Sequence, residues 1–309
     1  MYDVIITEFM DTPAADELER HFSVLFDPTL VDDRLRLLAL GAGVRAIVVR
    51  NRTQVDRALL ECFPDLQAVG RLGVGLDNID VTACRDAGIA VLPAQGGNAV
   101  AVAEYVIAGI LMLRRTAYHG TAQVLAGQWP RQAMMGHETS GSVLGLVGLG
   151  SIAREVAQRA SHLGMHVIAF DPFVEVDDPV WTRVERVEQL ETLLGGADAV
   201  SLHIPLTDAT RNLLNASRLA AMRPGSVLIN TARGGIVDEA ALAEALREGV
   251  LAGAMLDVFA EEPLSAGSPL ESAPNLVLTP HIAGVTRESN ERISWITVEN
   301  VRRALEAHA

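Results

Sequence analysis

Several residues in the carboxyl-terminal two thirds of the chain have the types and spacing that chemistry requires. Gly148-Leu149-Gly150-Ser151-Ile152-Ala153 fits G-x-G-x-x-(G/A). It closes an apolar run, VLGLV, and opens an amphipathic one, IAREVAQRASHL. Gly148 permits the tight turn, and Gly150 lets the backbone approach a pyrophosphate lying on the helix N-terminus. Ala153 need only allow close helix–strand packing. Asp171 ends the next apolar run, near the ~20-residue spacing expected of the acid that hydrogen-bonds ribose hydroxyls. Asp171 would repel a 2′-phosphate and no arginine closely follows it, so NAD is expected rather than NADP. Three later runs end in ionisable groups: Arg233 after VLINT, Asp257 and then Glu262-Pro263 after GAML, and His281 after LVLTP. An arginine, an acid and a histidine on neighbouring strand ends beside a dinucleotide suit paired proton and hydride transfer.

The elements that must position these groups follow from patterning. VIITEF (4–9), SVLFDP (23–28), RAIVVRN (45–51), LQAVGRLG (66–73) and IAVLPA (89–94) are short, branched and apolar. Amphipathic stretches such as 31–40, 53–62 and 80–87 lie between them, and strand–helix alternation argues for parallel sheet. In GGNAVAVAEYVIAGILMLRR (96–115), Gly96-Gly97 supply a joint, Asn98 can cap a helix, and Arg114-Arg115 suit its C-terminal end as a solvated face. A second alternating series runs 142–150, 166–172, 197–205, 225–235, 253–263 and 275–284, followed by one helix over 287–305. Continuous apolar strands imply sheets covered on both faces. The expected fold is α/β: two doubly wound parallel-sheet domains, residues 1–98 with 285–309 and the inserted 99–284, with a cleft between.

Composition bounds the function. The chain has 309 residues, is 49% hydrophobic and 21% charged, and carries a net charge of −14. That excludes a disordered chain and argues against nucleic acid or anionic membrane as partner. One local basic pocket could still take a small anion. Cys62 and Cys84 match no disulfide framework and no metal-ligand spacing, so no metal is expected and a reducing cytoplasm fits best. The N-terminal MYDVIITEF lacks a basic region and reads as strand rather than signal peptide. The apolar 99–113 stretch carries Glu104 and is shorter than the ~20 residues of a membrane span.

The chain resembles the D-isomer-specific 2-hydroxyacid dehydrogenases, especially the phosphoglycerate dehydrogenase branch. The resemblance runs from about Val49 to the C-terminus. It rests on VGRLGVGLDNID (69–80), NAVAVAEYVIAGIL (98–111), GLVGLGSIAREVA (145–157), FDP (170–172), INTARGGIVDEAAL (229–242), LDVFAEEPL (256–264) and TPHIAG (279–284). It implies a flavodoxin-like substrate domain with an inserted Rossmann NAD domain. It implies that His281 is the general acid/base on the substrate C2 oxygen and that Glu262 pairs with it. Arg233 would clamp the substrate carboxylate, for which its planar fork suits. Asp257 would orient the nicotinamide carboxamide. Backbone amides near Val74 and Gly75 would hold the carboxylate, and Asn98 would lie at the hinge beside the substrate. Ser151, Ile152, Ile204, Pro205, Thr231, Ala232 and Gly284 fall where the family lines its cofactor groove. His203 serves either that groove or packing. His21, His119, His137, His162, His166 and His308 are assigned to surface or packing, and Arg302-Arg303 to a solvated helix face.

The implied reaction is hydride transfer between nicotinamide and C2 of a small 2-hydroxy or 2-oxo acid. Arg52 and Arg71 resemble family positions that contact substrate; as surface arginines they would carry no such role. Facing inward, they imply an anionic C3 group, as in 3-phosphoglycerate or 3-sulfolactate. A neutral C3, as in hydroxypyruvate or glyoxylate, is the alternative. The family also contains NAD-sensing corepressors, but the Arg–Glu–His set is whole. Formate dehydrogenase-like chemistry would need a Gln–His arrangement that TPHIAG after Glu262 does not provide. The chain ends one helix after the last motif, so no regulatory domain and no serine feedback are expected. A cytoplasmic homodimer paired through the cofactor domain, with 99–140 as an arm, completes the expectation.

Overall fold

The computed structural model describes residues 2–307, which leaves His308 outside; the side chain of His119 is likewise not described. The chain divides into two compact units, Met1–Asn98 with Val285–Ala309, and Ala99–Gly284.

The first unit holds β1 (Val4–Ile6), β2 (Val24–Phe26), β3 (Ala46–Val49), β4 (Ala68–Arg71) and β5 (Ala90–Pro93). All pair in parallel in the order β2-β1-β3-β4-β5. This is the flavodoxin-like order. Side-chain alternation splits its core in two. Val4, Ile6 and Val48 pack on one face with the helices Thr12–Glu19 and Arg287–Glu306, while Ile5, Ile47 and Val49 pack on the other. Helix starts are set locally by aspartate caps: Asp56 accepts from Leu59 N and Asp80 from Ala83 N. The expected helix over 31–40 is shorter. A 3-10 turn, Pro28–Asp32, precedes Arg34–Ala39 because Asp27 and Asp33 each cap a separate start. The closing helix begins with a capping box between Thr286 and Ser289.

The second unit holds β6 (Val143–Val147), β7 (His166–Phe170), β8 (Glu185–Arg186), β9 (Ala199–Leu202), β10 (Ser226–Asn230), β11 (Leu251–Leu256) and β12 (Leu276–Leu278). The order is β12-β11-β10-β9-β6-β7-β8, all parallel. This is a doubly wound order of the 3-2-1-4-5-6 kind, and its direction reverses between β6 and β9. Two residues long and polar, β8 carries no apolar run and is the strand that patterning missed.

Two local expectations are corrected. Asn98 does not cap the helix Ala99–Arg115: its side-chain oxygen is buried without a hydrogen-bond partner. Arg114 is not on a solvated face. It is buried, its guanidinium donates to the Glu138 carbonyl at 3.0 Å, and it lies 3.8 Å from Asp198. The segment at Glu138, 24 residues further on, returns to it, which a one-dimensional pattern cannot show. Arg302 and Arg303 do lie on an open face, paired with Glu299. Among the described residues no helix is long and apolar enough to cross a membrane, and no cluster of His, Cys, Asp or Glu could hold a metal ion.

Candidate active site

Loops at the carboxyl ends of β6 and β9 meet at the reversal point, where open α/β sheets bind ligands. Gly148 has φ +91°, and a β-carbon there would lie 2.6 Å from the His203 carbonyl oxygen. The turn therefore excludes any side chain. Leu149 is pinned from both sides. Its N–H donates to Asp171 Oδ2 at 2.7 Å, and its carbonyl accepts from Arg154 Nε at 3.1 Å. Arg154 in turn makes a two-pronged contact with Asp178 at 2.7 and 3.1 Å. Asp171 also accepts from Phe173 N at 2.9 Å, and each carboxylate oxygen keeps a free lone-pair direction. Ser151 begins the following helix and is exposed; Ile152 packs on the core beneath.

Three observations bear on whether this loop fits NAD. A β-carbon on Gly150 would meet nothing within 4 Å, so the fold itself does not require glycine there. The Thr231 hydroxyl is buried with no hydrogen-bond partner. Asp171 retains acceptor capacity at the end of β7. Open space at the pyrophosphate turn, an unsatisfied hydroxyl and a spare acceptor are what a dinucleotide would complete. Along the same groove Ile204 and Ala232 pack on the core, Pro205 is exposed and its carbonyl accepts from Thr210, and Gly284 is half-buried. His203 bonds Ser201 Oγ through Nε2 at 2.9 Å, and burial pushes its pKa down to about 4. It is a neutral imidazole beside the glycine turn.

At the other strand ends, β10 leads into the Arg233 loop. The buried Asn230 ties that loop down: its Nδ2 donates to the Arg233 carbonyl at 3.0 Å, and its Oδ1 accepts from Ala232 N at 3.0 Å. Arg233 Nη1 donates to the Ala232 carbonyl at 2.6 Å. Next to it, β11 ends in Asp257, which is 1% exposed. Asp257 Oδ1 accepts from Thr279 Oγ1 at 2.6 Å and Ile282 N at 2.8 Å, and Oδ2 accepts from Ala283 N at 2.8 Å. Its carbonyl accepts from His281 N at 2.9 Å. One aspartate thus organises the whole turn that follows β12.

That turn presents His281 at φ +52°, a left-handed conformation uncommon for residues other than glycine and a form of strain that clusters at functional sites. His281 Nδ1 lies 2.8 Å from Glu262 Oε2, and Glu262 Oε1 accepts from Phe259 N at 3.1 Å. Glu262 therefore both caps its own turn and holds the imidazole. The histidine side chain is 51% exposed, and Nδ1 is the nitrogen engaged by Glu262, which leaves Nε2 for a reactant. A carboxylate on Nδ1 orients the ring and leaves Nε2 to carry the transferable proton, the arrangement of a general acid/base. Glu261, beside it, faces solvent.

The first unit carries the remaining residues, all on loops at the carboxyl ends of its strands. Arg71 ends β4 and is 8% exposed, with Nη1 donating to the Leu72 carbonyl. Val74 and Gly75 follow it; Val74 is half-buried or less and Gly75 lies beside it in the same loop. Arg52 follows β3, and its exposed guanidinium pairs with Asp32. The buried carboxylate of Glu8 accepts from the N–H groups of Arg50, Asn51, Arg52 and Thr53, which fixes that loop. Burial opposes the charge on Glu8, but these backbone donors outweigh it and hold its pKa below the ordinary value. Asn98, after β5, keeps its unpartnered oxygen.

Asn230, Thr279, Arg154 and Glu8 were not singled out by residue type and spacing. The first three stand inside the family motifs, so the signal was present. Their work is to bond backbone groups, and the spacing of side chains does not reveal that.

A model of the D-isomer specific 2-hydroxyacid dehydrogenase NAD binding domain matches residues 107–283. The chain is 68% identical over 309 residues to an (S)-sulfolactate dehydrogenase from Chromohalobacter salexigens, covering 100% of both chains. It is 41% identical over 256 residues to a D-3-phosphoglycerate dehydrogenase from Archaeoglobus fulgidus, covering 83% of this chain and 48% of that one. The chain thus spans about half the length of that relative. Among solved structures, a D-lactate dehydrogenase from Aquifex aeolicus complexed with NAD and lactic acid superposes with a TM-score of 0.85 at 28% identity, covering 98% of this chain and 96% of that chain. With the strained, carboxylate-held histidine and the dinucleotide turn in place, the chain belongs to the D-isomer-specific 2-hydroxyacid dehydrogenase family and is an NAD-dependent oxidoreductase acting on CH–OH.

Proposed function

We propose that this protein interconverts 3-sulfolactate and its 2-oxo acid. The carrying observation is the His281–Glu262 pair at 2.8 Å in a chain 68% identical throughout to an (S)-sulfolactate dehydrogenase. Stereochemistry supports the reading. Sulfur in the C3 substituent gives that carbon priority over the carboxyl group. The spatial arrangement called R in D-lactate is therefore called S in sulfolactate, so an (S)-sulfolactate dehydrogenase is a D-isomer-specific enzyme.

In this mechanism the 148–152 turn and Asp171 would hold NAD, whose nicotinamide would supply the hydride chemistry. His281 Nε2 gives a proton to the C2 oxygen in reduction and removes it in oxidation. Glu262 keeps the ring oriented through its 2.8 Å contact with Nδ1. Arg233 takes the substrate carboxylate as a two-pronged partner. The backbone amides near Val74 and Gly75 are the donors that the first unit offers to a carboxylate. Arg71 and Arg52 read the C3 anion. Asp257, whose carboxylate already accepts three bonds from the His281 turn, would also orient the nicotinamide carboxamide.

The test is a panel of 2-hydroxy acids followed by NADH absorbance: both enantiomers of 3-sulfolactate, D-3-phosphoglycerate, D-glycerate and D-lactate. The S enantiomer of sulfolactate should have the highest kcat/KM. Replacing Arg71 by Ala should raise KM mainly for the acids with an anionic C3 group. Equal turnover of D-glycerate and (S)-sulfolactate, or an Arg71→Ala effect shared by both, overturns the substrate assignment.

The same reading includes a homodimer in the cytoplasm. After the helix Ala99–Arg115, Leu125, Trp129 and Met135 are 84%, 75% and 80% exposed. Three large apolar side chains exposed within one short segment support an association surface there. Sedimentation equilibrium should give twice the chain mass, and Trp129→Glu should shift it toward one. A wild-type monomer at micromolar concentration refutes this part.

A further inference from the structure

The helix Ala99–Arg115 is apolar along most of its length, yet one of its polar groups reaches the catalytic turn. The Tyr105 hydroxyl is hydrogen-bonded to Thr279 Oγ1, and Thr279 Oγ1 lies 2.6 Å from Asp257 Oδ1. Proton directions along this chain are forced. A carboxylate can only accept, so the threonine proton lies on the bond to Asp257. The threonine has no second proton, so the tyrosine donates to it. Burial raises the phenol pKa, the Thr279 bond offsets part of that rise, and the Asp257 charge adds to it. The group therefore keeps its proton at neutral pH.

We propose that Tyr105 is a positioning residue of the dehydrogenase site, holding Thr279 on Asp257 and thereby fixing the turn that presents His281. Four bonds restraining residues 279–283 converge on Asp257: those of the Thr279 hydroxyl, the His281 N–H, and the Ile282 and Ala283 N–H groups. Tyr105 adds a restraint from a separate element, the helix packed over β10 and β11. His281 is left-handed, and such a backbone persists only where its surroundings over-determine it. A second anchor on the first residue of the turn supplies that excess. The bond also polarises the threonine hydroxyl and so strengthens its bond to Asp257.

The proposal rests on His281 being the acid/base. Its test therefore includes a readout that needs neither substrate nor cofactor. In the protein without NAD, Tyr105→Phe should speed hydrogen exchange at the Ile282 and Ala283 amides by about fivefold, the weight of one ordinary hydrogen bond. In the steady state kcat should fall by about the same factor, with KM for the 2-oxo acid changed less than about twofold. Thr279→Val should cost at least as much. The Tyr105→Phe/Thr279→Val pair should be no worse than Thr279→Val alone, and Thr279→Ser should restore activity. Losses that add, unchanged exchange, or faster exchange with unchanged kcat would each overturn it. Full activity of His281→Asn would instead overturn the acid/base reading, whatever the exchange at 282 and 283 shows.

Discussion

Gly234 and Phe259 touch through their backbones. A β-carbon at residue 234 would lie 1.6 Å from the Phe259 carbonyl oxygen and 2.6 Å from Ala260 N. The Arg233 loop and the loop that carries Glu262 are thus pressed together at a point where only glycine fits. Glu239 reinforces the joint by accepting from Ala260 N at 2.7 Å. Gly234→Ala must push the two loops apart. Because a misplacement near 1 Å can cost about 10²-fold, kcat should fall by roughly that factor. Thermal unfolding should also move to lower temperature. A variant with wild-type kcat and Tm would show that the loops are free to separate.

His281 can be tested without disturbing its backbone. Asparagine tolerates the left-handed region, so His281→Asn removes the imidazole and keeps the turn. The loss of a positioned acid/base is expected to lower kcat by about 10²-fold or more. NADH affinity, measured by fluorescence quenching, should stay near wild type. Glu262→Gln, which keeps size and removes charge, should fall between the two proteins. Turnover of His281→Asn within a factor of two of wild type would sink the assignment.

Gly150 separates folding from cofactor binding. A methyl group there would meet no atom within 4 Å, and the residue's φ is −74°. Gly150→Ala should fold normally and gain a little stability, about 0.5 kcal/mol, from the restricted unfolded chain. The added methyl should stand where the pyrophosphate approaches, weakening NADH binding by about 10-fold or more, as the close approach at this glycine requires. Calorimetry and NADH titration on one sample measure both. Unchanged NADH affinity would place the dinucleotide elsewhere.

His203 makes stability depend on pH. In the fold its pKa is about 4, against an ordinary 6.5, because burial penalises the cation. Between those values the unfolded chain binds the proton and the native chain does not, so stability falls as pH drops through this window and levels off below it. The residue keeps a partly exposed edge, and the expected loss is about 2 kcal/mol. His203→Gln should remove that part of the slope in urea unfolding between pH 7 and pH 4. Identical slopes for the two proteins would contradict an imidazole held neutral by the fold.

Much of the architecture was legible in the linear pattern because the signals are local. Apolar branched runs separated by amphipathic ones specify parallel strands covered on both faces. The G-x-G-x-x-A turn specifies a helix start that admits phosphate. Arg233, Glu262 and His281 stood out as candidates because ligands of open α/β sheets bind at strand ends, and strand ends are visible as the limits of apolar runs. β8 was missed because two polar residues, Glu185 and Arg186, leave no such run.

What the chain order alone could not express was which groups meet. The 19-position separation of Glu262 and His281 says nothing of a 2.8 Å contact. The same holds for Tyr105 and Thr279, 174 positions apart, and for the burial of Arg114 beside the returning segment at Glu138. Residue types and spacing determined the fold class, the dinucleotide turn and the acid/base candidates, since each follows from neighbours within a few residues. Tertiary structure alone decided that Asp257 would spend its carboxylate on the His281 turn and that Asn98 would leave its oxygen unpaired. Those outcomes depend on donors brought in by distant strands, and hydrogen-bond partners are settled only when the sheet closes.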